Sequence, residues 1–252
     1  MAVAITSQVK LFVAIPSHSG SAVLECVESL LAAQTMLADR GDTLEFWWEG
    51  GAVISVVRNL IAAQFLASDA DMLLMVDADQ SFSAHMLARM IDLNQPVVGC
   101  IYPTRKYNWE RANLGAAKNI EGVVYQASSF VGWLETDEHG EVTVIDGFAR
   151  AAHVGTGILL IRREAFQVLI GKFPELQGRG FAPDPRLPAD KAWGFFNMID
   201  DGRGVPFSED LSFCRRWRAA GGEIWAEITS LTTHVGRQRF TGNYFDYLQA
   251  IE

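Results

Sequence analysis

Met72 to Phe82 reads MLLMVDADQSF: five apolar residues, then Asp77 and Asp79 with only Ala78 between them. A short unbroken apolar run is the pattern of a strand buried on both faces, because a half-exposed strand alternates and a helix needs a longer stretch. The two acids therefore stand where that strand leaves the core. In open α/β sheets, ligands bind at the carboxyl ends of strands, so an Asp-x-Asp there suits a cation together with an anionic ligand. The ordinary alternative is a turn, where aspartate is common.

Outward from this strand, the pattern alternates. Lys10–Ile15 reads as a first buried strand, broken by Pro16 and the small polar run SHSGS. Val23, Val27, Leu30, Leu31 and Leu37 recur at helical spacing, LEFWW (Leu44–Trp48) is a second strand, and Ala52–Ala67 is an amphipathic helix leading into the central run. On the other side, Ser83 is a predicted N-cap for a helix to about Asn94, and Val97–Ile101 is a further strand. This β-α-β-α-β-α-β order predicts an α/β fold, a Rossmann-like, mostly parallel central sheet with helices on both faces and right-handed crossovers.

The second half is less regular. Residues 102–122 read as a polar loop, and VVYQASSFVGWL with EVTVI as a hairpin. HVGTGILLI (His153–Ile161) reads as one strand entered through two glycines, followed by a helix over Arg163–Ile170. Residues 171–205, rich in Gly, Pro and Asp, read as a long surface loop, and loops of that length in compact domains are usually lids or disordered. Ser208 to Ala220 returns to helix, capped by Ser208 and stopped at Gly221-Gly222, and EIWAEI is a last strand with His234 just beyond.

At 252 residues, with 49% apolar and 20% charged residues, the chain fits one large domain over residues 1–252. It lacks an apolar run long enough to span a bilayer and a secretory-type start, and its three cysteines, Cys26, Cys100 and Cys214, have no metal-like spacing. These features predict buried thiols in a cytoplasmic protein. The net charge of −9 disfavours bulk coating of nucleic acid. Residues 1–149 hold 8 Lys/Arg against 18 Asp/Glu, and residues 150–252 hold 13 against 12, so the acidity belongs to the first part.

Four groups of residues suit chemistry. Mg2+ and Mn2+ take one or two protein carboxylates and complete their shells with water and phosphates, which an Asp-x-Asp satisfies. His234 in THVG is a candidate further ligand, although a lone His is more often structural. Ser208, Glu209 and Asp210 open a helix, where acids simply favour the dipole, or where one carboxylate serves as general base. Gly155-Thr156-Gly157 admits close backbone approach of a ligand, or is a bulge. Arg58 either reaches a phosphate or base or is a surface residue.

In order, FVAIPSHSG, VVRN, VDADQ, GTG, SED and THVG resemble the motif set of the GT-A fold glycosyltransferases, spanning roughly residues 10–236. The resemblance implies sugar transfer from a nucleotide diphosphate sugar, UDP before GDP, to an acceptor hydroxyl, with inversion. It implies donor contacts at Ile15, Pro16, Ser17, Arg58, Asp77, Ala78, Gly155, Thr156 and Gly157. Asp79 and His234, with Asp77, would hold Mn2+ or Mg2+; Asp210 would be the base, and Glu209 would hold a sugar. Residues 1–101 would form the nucleotide-sugar half, and residues 102–252 an acceptor-side half carrying a smaller hairpin and loop region. The family pattern has no counterpart for residues 171–205, where Trp193, Phe195 and Phe196 are candidate stacking surfaces for the acceptor.

The acceptor is open between a saccharide or glycoconjugate and a hydroxylated base of phage-type DNA. A DNA acceptor predicts a basic strip from Arg179, Arg203, Arg215, Arg216, Arg237 and Arg239. Two rival readings are a non-catalytic module that binds a nucleotide sugar or saccharide and a sugar nucleotidyltransferase. The latter normally needs a basic, Gly-rich phosphate loop after the first strand, and SHSGS has no Lys or Arg.

Overall fold

In the computed structural model, which describes residues 8–108, 127–181, 184, 187–236 and 239–251, Met72–Val76 is a strand buried along its whole length. Its side chains divide between two cores. Met72, Leu74 and Val76 join one apolar cluster, and Leu73 and Met75 join the other. An unbroken apolar run is needed because a sheet covered on both faces has no polar side.

The chain enters through β1 (Lys10–Ser17), α1 (Leu24–Asp39), β2 (Thr43–Gly50) and α2 (Ile54–Ala67), and then reaches β3 (Met72–Val76). β4 (Gln80–Ser81), α3 (Ala84–Asp92), β5 (Val97–Cys100) and β6 (Tyr102–Tyr107) follow. The second half supplies β7 (Ser128–Leu134), β8 (Val144–Ile145), β9 (Phe148–Val154), β10 (Ile158–Arg162) and α4 (Arg163–Lys172). It ends with α5 (Glu209–Ala219), β11 (Trp225–Glu227), β12 (Thr232–Val235), β13 (Arg239–Gly242) and α6 (Tyr244–Ile251).

The main sheet has the order β2-β1-β3-β10-β5-β11-β9-β7-β6, with β8 beside β9, and a small sheet has the order β13-β12-β4. β1 runs parallel to β2 and β3, and β5 runs parallel to β11. β10 lies antiparallel between β3 and β5. β2, β1, β3, β5 and β11 thus share one direction, the mostly parallel Rossmann-like α/β architecture that the alternation predicts. Cys26, Leu30 and Leu37 of α1 pack with Met86 and Met90 of α3 on one face; Ile61 and Phe65 of α2, Phe166 of α4 and Phe213 of α5 cover the other.

Local signals act as expected at two helix ends. The Ser83 hydroxyl accepts the Met86 N–H at 3.1 Å and caps α3. Gly221, at φ +88, takes the left-handed turn that stops α5. At the start of α5, however, the Ser208 hydroxyl makes no cap bond and donates instead to Asp210.

Four expectations are corrected. His153–Ile161 is not one strand: Gly155-Thr156-Gly157 redirects the chain, so β9 and β10 take separate positions in the sheet. The expected hairpin does not form; β7 pairs with β6 and β9, and β8 pairs with β9. Part of the presumed polar loop is β6, and its remainder, residues 109–122, lies outside the described residues, as do residues 123–126 of the next run. The segment 171–205 is not a loose surface loop, because it buries Leu176, Leu187, Trp193, Phe195 and Phe196. Among the described residues, no helix is long and apolar enough to cross a membrane.

Candidate active site

The carboxyl end of β3 meets the turn between β9 and β10, where the Asp77 N–H donates to the Gly157 carbonyl at 2.9 Å. Below this edge lies Arg58 of α2, 2% exposed. Its Nη2 donates to Asp77 Oδ1 at 2.8 Å, and its Nε donates to Glu209 Oε1 at 3.2 Å. Its Nη1 lies 3.5 Å from the Thr156 carbonyl oxygen. Burial alone would lower the Arg58 pKa, but Asp77 and Glu209 outweigh it and hold the guanidinium more firmly protonated than usual. Arg58 therefore joins three sequence motifs. Its donors face protein acceptors, two of them carboxylates.

Asp79 is held from the other side. β12 carries His234, whose Nε2 lies 3.4 Å from Asp79 Oδ2, and the Val235 N–H donates to the Asp79 carbonyl at 2.8 Å. The other imidazole nitrogen, Nδ1, is 2.9 Å from the Pro103 carbonyl oxygen. A carbonyl accepts only, so Nδ1 bears the proton, and in the neutral ring Nε2 turns a lone pair toward a carboxylate. Two electron-rich groups so placed call for a cation between or beside them. At present Arg105 Nη1 supplies one, at 2.8 Å from Asp79 Oδ2. Burial disfavours the charged Asp79, but when the ring is protonated the Nε2–H donates to it, and that bond and charge, together with Arg105, outweigh burial and hold its carboxyl below the ordinary aspartate range.

These donors, one carboxylate and one imidazole fixed by a backbone carbonyl, suit Mn2+ or Mg2+, which complete their shells with water and phosphate. Among the described residues, no three His, Cys, Asp or Glu side chains gather to hold a metal on their own. A bound ion would therefore draw the rest of its shell from a ligand. Asp77, the third expected metal residue, directs Oδ1 to Arg58.

The glycines of the GTG turn make room for Tyr102. A Cβ at Gly155 would lie 2.3 Å from the Tyr102 hydroxyl oxygen, and one at Gly157 would lie 2.7 Å from the same atom. The Gly157 N–H donates to that hydroxyl at 3.0 Å. Burial, reinforced by Asp77, raises the Tyr102 pKa well above its usual value, so the phenol stays protonated. Its ring stands edge-on to His234, with centroids 5.8 Å apart.

Asp210 opens α5, which packs on β9. Its Oδ1 accepts the Leu211 N–H at 2.7 Å and the Ser208 hydroxyl. Nearby His153 of β9 is 7% exposed, and its Nδ1 has no hydrogen-bond partner among the described residues. Burial lowers the His153 pKa, and the Asp210 charge partly opposes this.

Other expected positions differ in character. Ile15 is 1% exposed within the α1-side core, so a base could meet only its backbone. Pro16 is buried, Ser17 exchanges hydrogen bonds with Ser21 at 2.8 and 3.0 Å, and the Ala78 carbonyl accepts the Val23 N–H at 2.9 Å. Trp193, Phe195 and Phe196 are core residues and offer an acceptor no face. Trp193 stacks on Phe195, and Phe196 stacks on Phe213 at 4.8 Å, because this segment closes the apolar side of α4 and α5.

Of the expected basic strip, Arg216 is withdrawn from the surface. It donates to the Phe195 and Asn197 carbonyls at 3.0 and 2.6 Å. Arg215 lies over the Phe207 ring, Arg239 pairs with Glu25, and Arg237 lies outside the described residues. Sequence reasoning missed Tyr102, Arg105 and His153. The first two fell within an apparent polar loop, and a single His at a strand mouth carries no distinguishing spacing.

No family model and no curated protein matches the chain. Among solved structures it is similar to a protein from STIV, at 14% identity over 93% of this chain and 94% of that one, with a TM-score of 0.47. It is also similar to a mutant Drosophila beta-1,4-galactosyltransferase 7 in complex with manganese, UDP-Gal and xylobiose, at 16% identity over 93% and 75%, with a TM-score of 0.42. A third is UDP-glucose pyrophosphorylase complexed with UDP-glucose, at 10% identity over 96% and 97%, with a TM-score of 0.43.

Proposed function

We propose that this protein is a metal-dependent glycosyltransferase that moves a sugar from a nucleotide diphosphate sugar, UDP first, to an acceptor hydroxyl. One observation carries the reading: Asp79 and His234, remote in sequence, face each other at 3.4 Å with the imidazole proton committed to the Pro103 carbonyl. That pair wants a cation, and a cation completed by a ligand's oxygens wants a diphosphate.

A bound Mn2+ or Mg2+ would neutralise charge on the departing diphosphate. Asp77, steadied by Arg58, would accept from the donor's ribose, and Glu209, steadied by the same guanidinium, would hold a sugar hydroxyl. The GTG turn would offer backbone groups beside the donor. Asp210 would take the acceptor O–H proton as that oxygen bonds to the anomeric carbon, while the bond from that carbon to the diphosphate oxygen breaks and the nucleotide leaves. Attack from the face opposite the leaving group gives inversion.

The test is calorimetric titration of UDP with and without Mn2+, followed by nucleotide release from a panel of UDP- and GDP-sugars. The reading expects Mn2+-dependent UDP binding, slow hydrolytic release without acceptor, and loss of release in Asp210→Asn with UDP affinity retained. Absence of nucleotide binding under all metal conditions would overturn it. Tight binding without release from any donor, unaltered by Asp210→Asn, would make the protein a binding module instead.

A further inference from the structure

Trp133 on β7 is 65% exposed, although its neighbours along the strand are at least partly covered. Its cross-strand partner on β9 is His153. The two rings lie 4.5 Å apart between centroids, tilted by 49°. Gly132, immediately before the indole, sits at φ +128, where a Cβ would press within 3.0 Å of Ile101, and the pairing register shifts between Trp133 and Leu134. Irregularities of this kind re-aim a side chain and gather beside functional sites. Here the result is an aromatic face turned to solvent, backed by a buried imidazole whose Nδ1 has no partner among the described residues.

An unpaired buried nitrogen is unfavourable unless a ligand or water completes it. β9 leads directly into the GTG turn, and His153 lies within the field of Asp210. The indole plate thus lies on the strand pair that leads to the GTG turn, with the imidazole behind it and the helix that carries Asp210 packed on β9. We propose that Trp133, backed by His153, forms the acceptor subsite, taking an uncharged pyranoside whose ring lies on the indole and whose hydroxyl is directed to Asp210.

The surrounding charges favour a saccharide over a nucleic acid. Arg150 pairs with Glu223 and Glu135, and Arg218 pairs with Glu135. Phosphates would need cations not already so engaged. An aromatic ring holds an apolar sugar face by area while its edge and neighbours take polar contacts. The link to Asp210 rests on the proposed transfer reaction; sugar binding at Trp133 does not.

The test follows the indole N–H signals of the 15N-labelled protein by NMR during titration with methyl β-glucoside, β-galactoside and β-N-acetylglucosaminide. It is done with and without UDP and Mg2+, and Trp133→Phe assigns the signal. At least one glycoside should shift the Trp133 signal and saturate in the millimolar range. Trp133→Ala should weaken that binding at least tenfold without altering UDP affinity, and His153→Asn should weaken it as well. Trp48→Ala, which removes an exposed indole elsewhere, should leave it unchanged. Three results overturn the subsite: UDP binding with no glycoside response, equal glycoside affinity in Trp133→Ala, or a response only to a hydroxymethylated single-stranded oligodeoxynucleotide. Glycoside binding at Trp133 without UDP binding would sink the donor reading and leave the subsite standing.

Discussion

Arg58 and Glu209 meet through an Nε to Oε1 contact of 3.2 Å across 151 residues of chain, and the same guanidinium holds Asp77. One buried cation thus sets two carboxylates that belong to different motifs. Without it, both acids would repel each other in a partly dry cleft.

Replacing Arg58 by Met should therefore destabilise the fold by about 3–5 kcal/mol, the usual range for removing one partner of a buried ion pair. Arg58→Lys should fall between, because an ammonium lacks the fork needed to serve both acids. Urea unfolding measures both. A wild-type midpoint for Arg58→Met would mean that solvent, not Arg58, supports the two charges.

At the metal pair, Asp79→Asn and His234→Ala should each weaken Mn2+ binding in the presence of UDP, by roughly 10–100-fold or more. Arg105→Ala should do the opposite, since its guanidinium competes for Asp79 Oδ2. Electron paramagnetic resonance of free Mn2+ reads both directions. Weaker binding in Arg105→Ala would show that this arginine helps the cation site instead of occupying it.

His153 predicts a pH dependence of stability. Burial lowers its folded pKa below the ordinary 6.5, with Asp210 pulling partly the other way. As pH falls, the unfolded chain protonates first, so this stability is intact above about pH 6.5 and is lost toward the lower folded value. The advantage of wild type over His153→Asn in thermal unfolding should shrink between about pH 7.5 and 5.5. An advantage that grows over this range would reverse the sign assigned here.

Arg216 pins the segment carrying Trp193, Phe195 and Phe196 to α5 through two backbone carbonyls, and burial lowers its pKa to about 10. Arg216→Ala should lose about 2–4 kcal/mol, given charged hydrogen bonds worth roughly 1.5–3 kcal/mol each. Limited proteolysis should then cut first between residues 173 and 207. Unchanged cleavage would place the anchor of that segment in its aromatic packing alone.

The sequence alone determined what depends on neighbours in the chain. MLLMV had to be a strand covered on both faces, the amphipathic stretches had to be helices, and Ser83 and Gly221 marked helix ends through local hydrogen bonding and backbone geometry. It also put carboxylates at a strand's end and a histidine far downstream.

Tertiary structure decided which of these groups face one another. Only packing turned Asp79 toward His234, gave Arg58 to Asp77 and Glu209, sent β9 and β10 to separate places in the sheet, and buried Trp193 while leaving Trp133 in solvent. The physical reason is that apolar periodicity reports how much of an element must be covered, whereas what covers it, and which polar atoms are thereby forced to pair, depends on contacts between segments remote in the chain.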